Sequence, residues 1–305
     1  MLRRFFPPCL WAVLALSAVT SASADTAPAG GGSAQKYADA LPVPFGPGEV
    51  LNFKVMLGVF TIGESIMEIP AIEPVRGTSS YHLKWRIKGG VPFYKVDTSF
   101  QSWIDIQKLV SLRFIQDQHE GHYTRFREFQ FFPEQRLWKR ADKNEQGPLP
   151  TSMPLDDLSF VYFARALPLE VGKQYRFDRY FQETGNPVII RVLRRAETVV
   201  PAGTFKTIVV QPIIRTTGMF SEGGKAELHL SDDPRHLLVY LKTELPVIGI
   251  SMTMQLTSLR DGAPVHGGSL TWAEIHADPR TVTPLPPGSG QGAGPATNVP
   301  LDRGR

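Results

Sequence analysis

Two short stretches of this 305-residue chain hold residue types that could do chemistry. His119-Glu120-Gly121-His122 places two imidazoles around a carboxylate. A zinc peptidase needs His-Glu-x-x-His on a helix, so that both imidazoles share one face. Here the spacing is one residue short and Gly121 sits inside it. The flanks, Leu112 to Ile115 and Tyr123 to Phe129, have strand composition, so the segment reads as a hairpin tip. Asp232-Asp233, between His229 and His236, could form a metal site or an acid–base pair. Asp-Asp-Pro-Arg is also what a tight turn uses, its carboxylates accepting from nearby backbone N–H groups. That is the reading taken, with His229 on the solvent side beside Glu227.

Other chemistries find no foothold. A Gly-x-Ser-x-Gly nucleophile elbow is missing. Gly30-Gly31-Gly32 has no Lys-Ser/Thr behind it and is not a phosphate loop. The single cysteine, Cys9, falls in a segment expected to be removed, which leaves the mature chain without thiol chemistry or disulfides. The paired carboxylates of a glycosidase are set by non-local geometry, and nothing in the sequence selects a pair. No catalytic residue, metal ligand or cofactor is assigned.

A different clue lies in the apolar residues. Phe53, Val55, Trp85, Ile87, Phe177, Met252 and Met254 sit on strand-like segments, together with Phe100, Phe114 and Tyr175. Two readings follow. They fill a core, each aromatic burying about 150–250 Å². Alternatively they line the concave wall of an open barrel, where pliable methionines adapt to an acyl chain. The seven residues named first are the candidate ligand contacts, for a lipid or other amphiphile.

The elements that must position them have a period of two. Tyr81, Leu83, Trp85 and Ile87 alternate with His82, Lys84, Arg86 and Lys88, and Ile250, Met252, Met254 and Leu256 alternate with polar residues. Leu51-x-Phe53-x-Val55 and Val188-x-Ile190-x-Val192 repeat the pattern, which puts one set on a buried face. Gly89-Gly90, Glu120-Gly121, Gly223-Gly224, Asp232-Asp233-Pro234 and Asp261-Gly262 read as turns. Many short half-buried strands predict an all-β fold, a curved antiparallel sheet or open β-barrel. One segment differs. Asp156 is an N-cap candidate behind Pro154, Leu158, Val161 and Tyr162 recur at helical spacing, and Pro168 closes the stretch. A short helix over about 156–165 is predicted, joining two halves of the sheet as a cover for the core or as a lid over a cavity.

The halves share a pattern. Gly48-x-x-Leu51-x-Phe53 opens one and Gly172-x-x-Tyr175-x-Phe177 the other. An acidic turn then precedes an apolar strand at Asp105 and Leu109 to Leu112, and again at Asp232-Asp233 and Leu237 to Leu241. A duplicated β-meander with halves 47–150 and 168–277 would leave this pattern. Two unrelated sheets sharing turn chemistry would also leave it.

The ends set the compartment. Arg3-Arg4, the apolar run Leu10 to Val19 and Ala22-Ser23-Ala24 form a secretory signal peptide over 1–24 in the required order. It is too short for a membrane span, so no transmembrane segment is expected in the mature chain. Cys9 precedes the apolar core rather than following it, the wrong order for a lipid anchor. Residues 25–46 form a flexible leader, 47–277 a single β domain, and 278–305 a Pro/Gly-rich tail that is expected to be disordered. Loss of Arg3 and Arg4 lowers the formal net charge from +4 to +2. Acidic and basic residues interleave along the strands, which argues against nucleic acid as a partner. Irregular strand charge such as Arg125, Arg127 and Glu128, with the polar tail, argues against an outer-membrane barrel.

Five features in this order resemble the bacterial exported family called domain of unknown function 3108. They are the Gly-x-x-Leu51-x-Phe53 strand with Ile62-Gly63 after it, Asp157-Leu158-Ser159-Phe160-x-Tyr162-x-x-Arg165, Pro168-Leu169-x-x-Gly172, Val200-Pro201-Ala202-Gly203-Thr204-Phe205-Lys206, and Leu230-Ser231-Asp232-Asp233-Pro234-Arg235. The resemblance runs from about Pro47 to Leu259 and implies a periplasmic all-β domain. More distantly, the chain is similar to open β-barrels that carry lipoproteins or lipids across the periplasm. Fold alone does not deliver function. The leading expectation is a non-enzymatic periplasmic protein that binds or chaperones an apolar or amphiphilic envelope molecule. The alternatives are an envelope assembly factor acting through its surface on a protein or polysaccharide, and a cell-wall glycan hydrolase. N-terminal sequencing of the exported protein is expected to start at Asp25; a species retaining Met1, or acylated at Cys9, contradicts the signal assignment.

Overall fold

The computed structural model describes residues 43–215, 226–245 and 250–263. The expected signal peptide, the leader up to residue 42, the Gly223-Gly224 turn and the tail from 278 lie outside the described residues.

Fourteen strands form one antiparallel sheet. The first meander comprises β1 (Val50–Leu57), β2 (Phe60–Val75), β3 (Thr78–Val91), β4 (Tyr94–Asp105), β5 (Ser111–Glu120), β6 (Tyr123–Phe132), β7 (Leu137–Arg140) and β8 (Glu145–Pro148). The second comprises β9 (Gln174–Phe177), β10 (Val188–Val200), β11 (Gly203–Ile213), β12 (Glu227–Ser231), β13 (Leu238–Leu245) and β14 (Ile250–Arg260). Within each meander every strand pairs with its neighbour in sequence. The long-range pair β1–β14 joins the meanders, with Phe53 opposite Leu256, Val55 opposite Met254 and Leu57 opposite Met252. The sheet is not closed: β8 and β9 are its edges.

A twisted sheet of more than about ten strands must curl or split, and bulges direct this one to curl. Register shifts fall in β1, β2, β4, β10 and β12. The β2 shift spans Pro70, which has no N–H to give the ladder. The curl ends in side-chain contact and one isolated parallel bridge, Leu155 to Tyr180, rather than in a closed strand ladder. Just past β9, Phe181 packs on Phe129 and Phe131 of β6 at 5.1 and 5.3 Å between ring centroids, and Arg179 donates to the carbonyls of Met153 and Leu109.

The turn expected at Glu120-Gly121 falls at Gly121-His122, one residue on because Glu120 ends β5, and the turn at Asp232 to Pro234 lies between β12 and β13. Gly89-Gly90 departs from its reading as a turn, because both residues lie inside β3. Gly89 faces Gly63 on β2, and a Cβ on either would come within 2.4 Å of the partner strand's carbonyl oxygen. Glycine is there for close backbone approach, and the turn follows at Pro92-Phe93.

Both meanders start alike. Gly48 and Gly172 take positive φ, 92° and 87°. Gly48 N–H donates to Ile69, whose N–H donates to Glu49; Gly172 N–H donates to Val192, whose N–H donates to Lys173. Left-handed Leu109 precedes β5, as left-handed His236 precedes β13.

Between the meanders lies helix α1 (Asp157–Arg165), where the sequence placed it. Asp156 caps it in a reciprocal box with Ser159, and Pro168 prevents its continuation. Leu158 through Arg165 are all buried, and the apolar ones belong to the same cluster as the inward faces of both meanders. A helix buried on every side occupies an interior rather than covering one.

Its last residue is the largest fully buried side chain among the described residues. Arg165, 0% exposed, makes a two-pronged ion pair with Glu49, 2% exposed, at 2.6 and 2.7 Å. The same guanidinium donates to the carbonyls of His236 and Arg235 and lies 5.3 and 5.2 Å from the rings of Phe45 and Tyr162. The His236 ring in turn reaches the Arg165 carbonyl at 2.7 Å. One side chain thus ties α1 to the residue before β1 and to the β12–β13 turn. Glu49→Gln is expected to cost about 3–5 kcal/mol in denaturant unfolding, because it strands a buried cation. The paired replacement Glu49→Met with Arg165→Met should cost much less than the sum of the single changes; additive losses would mean the pair is not coupled.

Candidate functional site

The seven candidate ligand contacts are all interior, each 3% exposed or less, and all fall in one apolar cluster. Phe53 and Val55 on β1, Met252 and Met254 on β14 and Trp85 and Ile87 on β3 lie on neighbouring strands. Trp85 Nε1 donates to Ser65 Oγ on the strand between, at 2.8 Å. Phe177 stands apart on the edge strand β9 and reaches the group through α1, its ring edge-on to Phe163 at 5.1 Å. From Trp85 a run of rings leads through Phe100 and Phe114 to Phe181. Two interior hydroxyls, those of Tyr81 and Tyr162, have no hydrogen-bond partner among the described residues. Burial raises the pKa of both phenols.

A serine–aspartate cluster that the sequence reading missed sits at the start of α1. Ser102 Oγ donates to Asp156 Oδ2 at 2.6 Å, while Asp156 Oδ1 accepts from the N–H groups of Leu158 and Ser159. Ser111 Oγ lies 2.8 Å from Ser159 Oγ and accepts from the Asp156 N–H. Nucleophilic catalysis needs a base beside the hydroxyl and access for a substrate. These four side chains are fully buried and, among the described residues, none is hydrogen-bonded to a histidine or lysine. The cluster is a cap that fastens α1 to β4 and β5. Burial pushes the Asp156 carboxyl up to about 6, against the opposing hydrogen bonds from Ser102, Ser159 and Ser111.

The two metal-like stretches are turns. Asp233 accepts from the Arg235 N–H, the Arg235 guanidinium and Ser231 Oγ. His229 does share a face with Glu227, at 3.6 Å, but the solvent-side expectation needs correction. Its ring lies under Tyr240 and 2.8 Å from Thr198 Oγ1, and burial lowers its pKa. Glu120, at the end of β5, is buried and accepts from Thr98 Oγ1; burial raises its pKa.

Outside, the strand register arranges charge in rows. Glu68, Lys84 and Gln101 are aligned across β2, β3 and β4. The next rows are Ile66, Arg86, Ser99 and Asp117, then Glu64, Lys88, Asp97 and His119, extending to β5. Opposite charges approach one another, with Arg86–Asp97 at 2.8 Å and Lys84–Glu68 at 3.9 Å, and the His119 ring lies 3.0 Å from Asp117 on the same strand. The Arg86 guanidinium holds the Asp97 carboxyl below its ordinary pKa. Between them runs an open groove of about 540 Å³, floored near Trp85 and Phe100. Exposed surface pairs of this kind add little stability, which leaves them available for contact.

Beyond the groove, the β1–β2 and β3–β4 hairpins end in bare apolar side chains. Val59 is 81% exposed, Phe60 72% and Phe93 98%. Apolar residues at turn positions were the signal for these tips. The groove had none, because it exists only once the strands are in register. Among the described residues, no helix is long and apolar enough to cross a membrane.

The model of the family described as protein of unknown function, DUF3108, matches residues 52–257, and the chain belongs to that family. A β-barrel-like protein of domain of unknown function DUF1849 from Brucella abortus is similar in structure, with a TM-score of 0.47 and 10% identity over 72% of this chain and 100% of that one. A candidate lipoprotein from Parabacteroides distasonis has a TM-score of 0.28 and 12% identity over 72% and 99%. A candidate exported protein with a YmcC-like fold from Bacteroides fragilis has 0.27 and 10% over 73% and 100%. No curated protein matches the sequence.

The cap has a pH signature. Asp156 ionises near 3.8 when unfolded and at about 6 when folded, so the stability its proton contributes is complete below pH about 4 and lost as pH rises through 6. Asp156→Asn keeps the cap without the titration. Its melting temperature relative to wild type should therefore rise between pH 4 and 7, equivalent to about 2–3 kcal/mol. Asp156→Ala should lose about 2 kcal/mol or more at both pH values. A pH-independent difference between Asn and wild type contradicts the account.

Proposed function

We propose that this DUF3108 member is an exported, non-enzymatic envelope protein that acts through its outer surface on a partner. Export rests on the signal-like residues 1–24. The observation carrying the surface reading is the burial of α1: from Leu158 to Arg165 it lies inside the curled sheet, packed with the side chains that would have lined a ligand cavity. A helix anchored at one end by Asp156 and at the other by Arg165 cannot open as a lid without breaking both buried networks. The surface offers the charged groove on β2 to β5 and the exposed hairpin tips for contact.

A second reading keeps the interior as a carrier site for an amphiphile. Its support is the pair of unpartnered hydroxyls of Tyr81 and Tyr162, which a polar head group could satisfy.

Met254→Ala separates the two. In a packed core it removes buried contacts and should cost about 2–5 kcal/mol, and the wild type should leave a fluorescent fatty acid unbound. A small stability loss with weakened fatty-acid binding would return the function to the interior.

A further inference from the structure

We infer that the β1–β2 and β3–β4 hairpin tips dock the protein on an anionic phospholipid surface, an inference that rests on the surface-acting reading above. The tips are neighbours. The Gly63–Gly89 pair joins β2 to β3, and beyond it Phe60 and Phe93 lie three and four residues further out, an overhang of roughly 10 Å at the rise of a strand. Both point the same way, because β1–β2 and β3–β4 are successive hairpins of one meander.

The outer tip is held in place. The Tyr94 ring lies against Gly121 of the β5–β6 turn, where a Cβ would come within 2.6 Å of it, and the Gly121 N–H donates to the Lys95 carbonyl at 2.7 Å. From that fixed base Pro92-Phe93 turns with Phe93 at φ 73°, a conformation glycine or asparagine ordinarily supplies. The result is a phenyl ring 98% exposed, on the tip next to the one that carries Phe60 and Val59. A backbone position that disfavours phenylalanine and then holds its ring in water makes sense when the ring has an apolar destination.

Charge selects the destination. Lys88 and Lys95 flank the Phe93 tip and are both exposed, and exposed Arg125 lies on the adjoining hairpin. Glu64 faces Lys88, and Asp97 is engaged by Arg86. Aromatic rings at the tip with cations one layer behind match a bilayer interface, where rings enter the head-group region and cations meet anionic phosphates. An apolar protein pocket would need no flanking lysines.

The test is flotation of the purified mature protein with vesicles of phosphatidylethanolamine and phosphatidylglycerol. Wild type is expected to float with them, and Phe60→Ser with Phe93→Ser to bind at least about tenfold more weakly, with unchanged melting temperature because both rings are exposed. Lys88→Gln with Lys95→Gln should lose roughly fivefold per lysine at low salt, a difference that disappears in 0.5 M salt. Val199→Ser, an exposed apolar site on β10 away from the tips, should bind as wild type does. Wild type that ignores the vesicles, or tip variants that bind equally well, overturns the inference. A photo-crosslinker at position 93 then reports on the parent reading. A discrete protein adduct keeps surface action and discards the lipid, whereas no adduct together with fatty-acid uptake discards both.

Discussion

Everything in this fold leans on the buried pair between Arg165 and Glu49. Neither side chain reaches water, so each needs the other. The cost of desolvating both is offset by the two-pronged geometry and by the carbonyls of Arg235 and His236, which take two further donors. The pair is also a registration device. It sets the end of α1 against the start of β1 and the β12–β13 turn, places that sequence otherwise leaves far apart. A hydrophobic contact there would tolerate sliding; a bidentate ion pair with two further acceptors does not.

Asp156 does the corresponding work at the other end of α1. Its carboxylate caps the helix and receives Ser102 of β4, while Ser111 of β5 completes the network. The helix is therefore fixed to the first meander at its start and to β1 and the second meander at its end. This arrangement explains how an open sheet keeps a curl without closing its hydrogen-bond ladder. Arg179 and Phe181 add a third fastening, setting the chain beyond β9 into the first meander.

Local chemistry was legible in the sequence and long-range chemistry was not. Alternation disclosed the strands around Leu83, Ile190 and Met254, and the Asp156 cap candidate ahead of Leu158, Val161 and Tyr162 disclosed the helix start. The repeated Gly48 and Gly172 openings correspond to the same pair of backbone hydrogen bonds in each meander. The β1–β14 pairing left no sequence trace, because its specificity comes from two strands about 200 residues apart. Nothing local to Arg165 says that Glu49 waits beside it, so their ion pair left no trace in the sequence. Gly89-Gly90 looked like a turn because close approach to Gly63 needs the same residue that a turn does. His229 was assigned to solvent by alternation alone, which cannot foresee Tyr240 folding over it.

The same limit applied to function. Phe53, Trp85 and Met254 were found as an apolar set, but whether such a set encloses space depends on what fills the curl. Here α1 lies within it, buried from Leu158 to Arg165. The most direct test is native-state hydrogen exchange across α1. If the helix is a fixed interior element, the amides of Phe160 to Arg165 exchange as slowly as those of β1 and β14, only through global unfolding. Exchange of α1 orders of magnitude faster than those strands would show a helix that opens on its own, and would contradict the account.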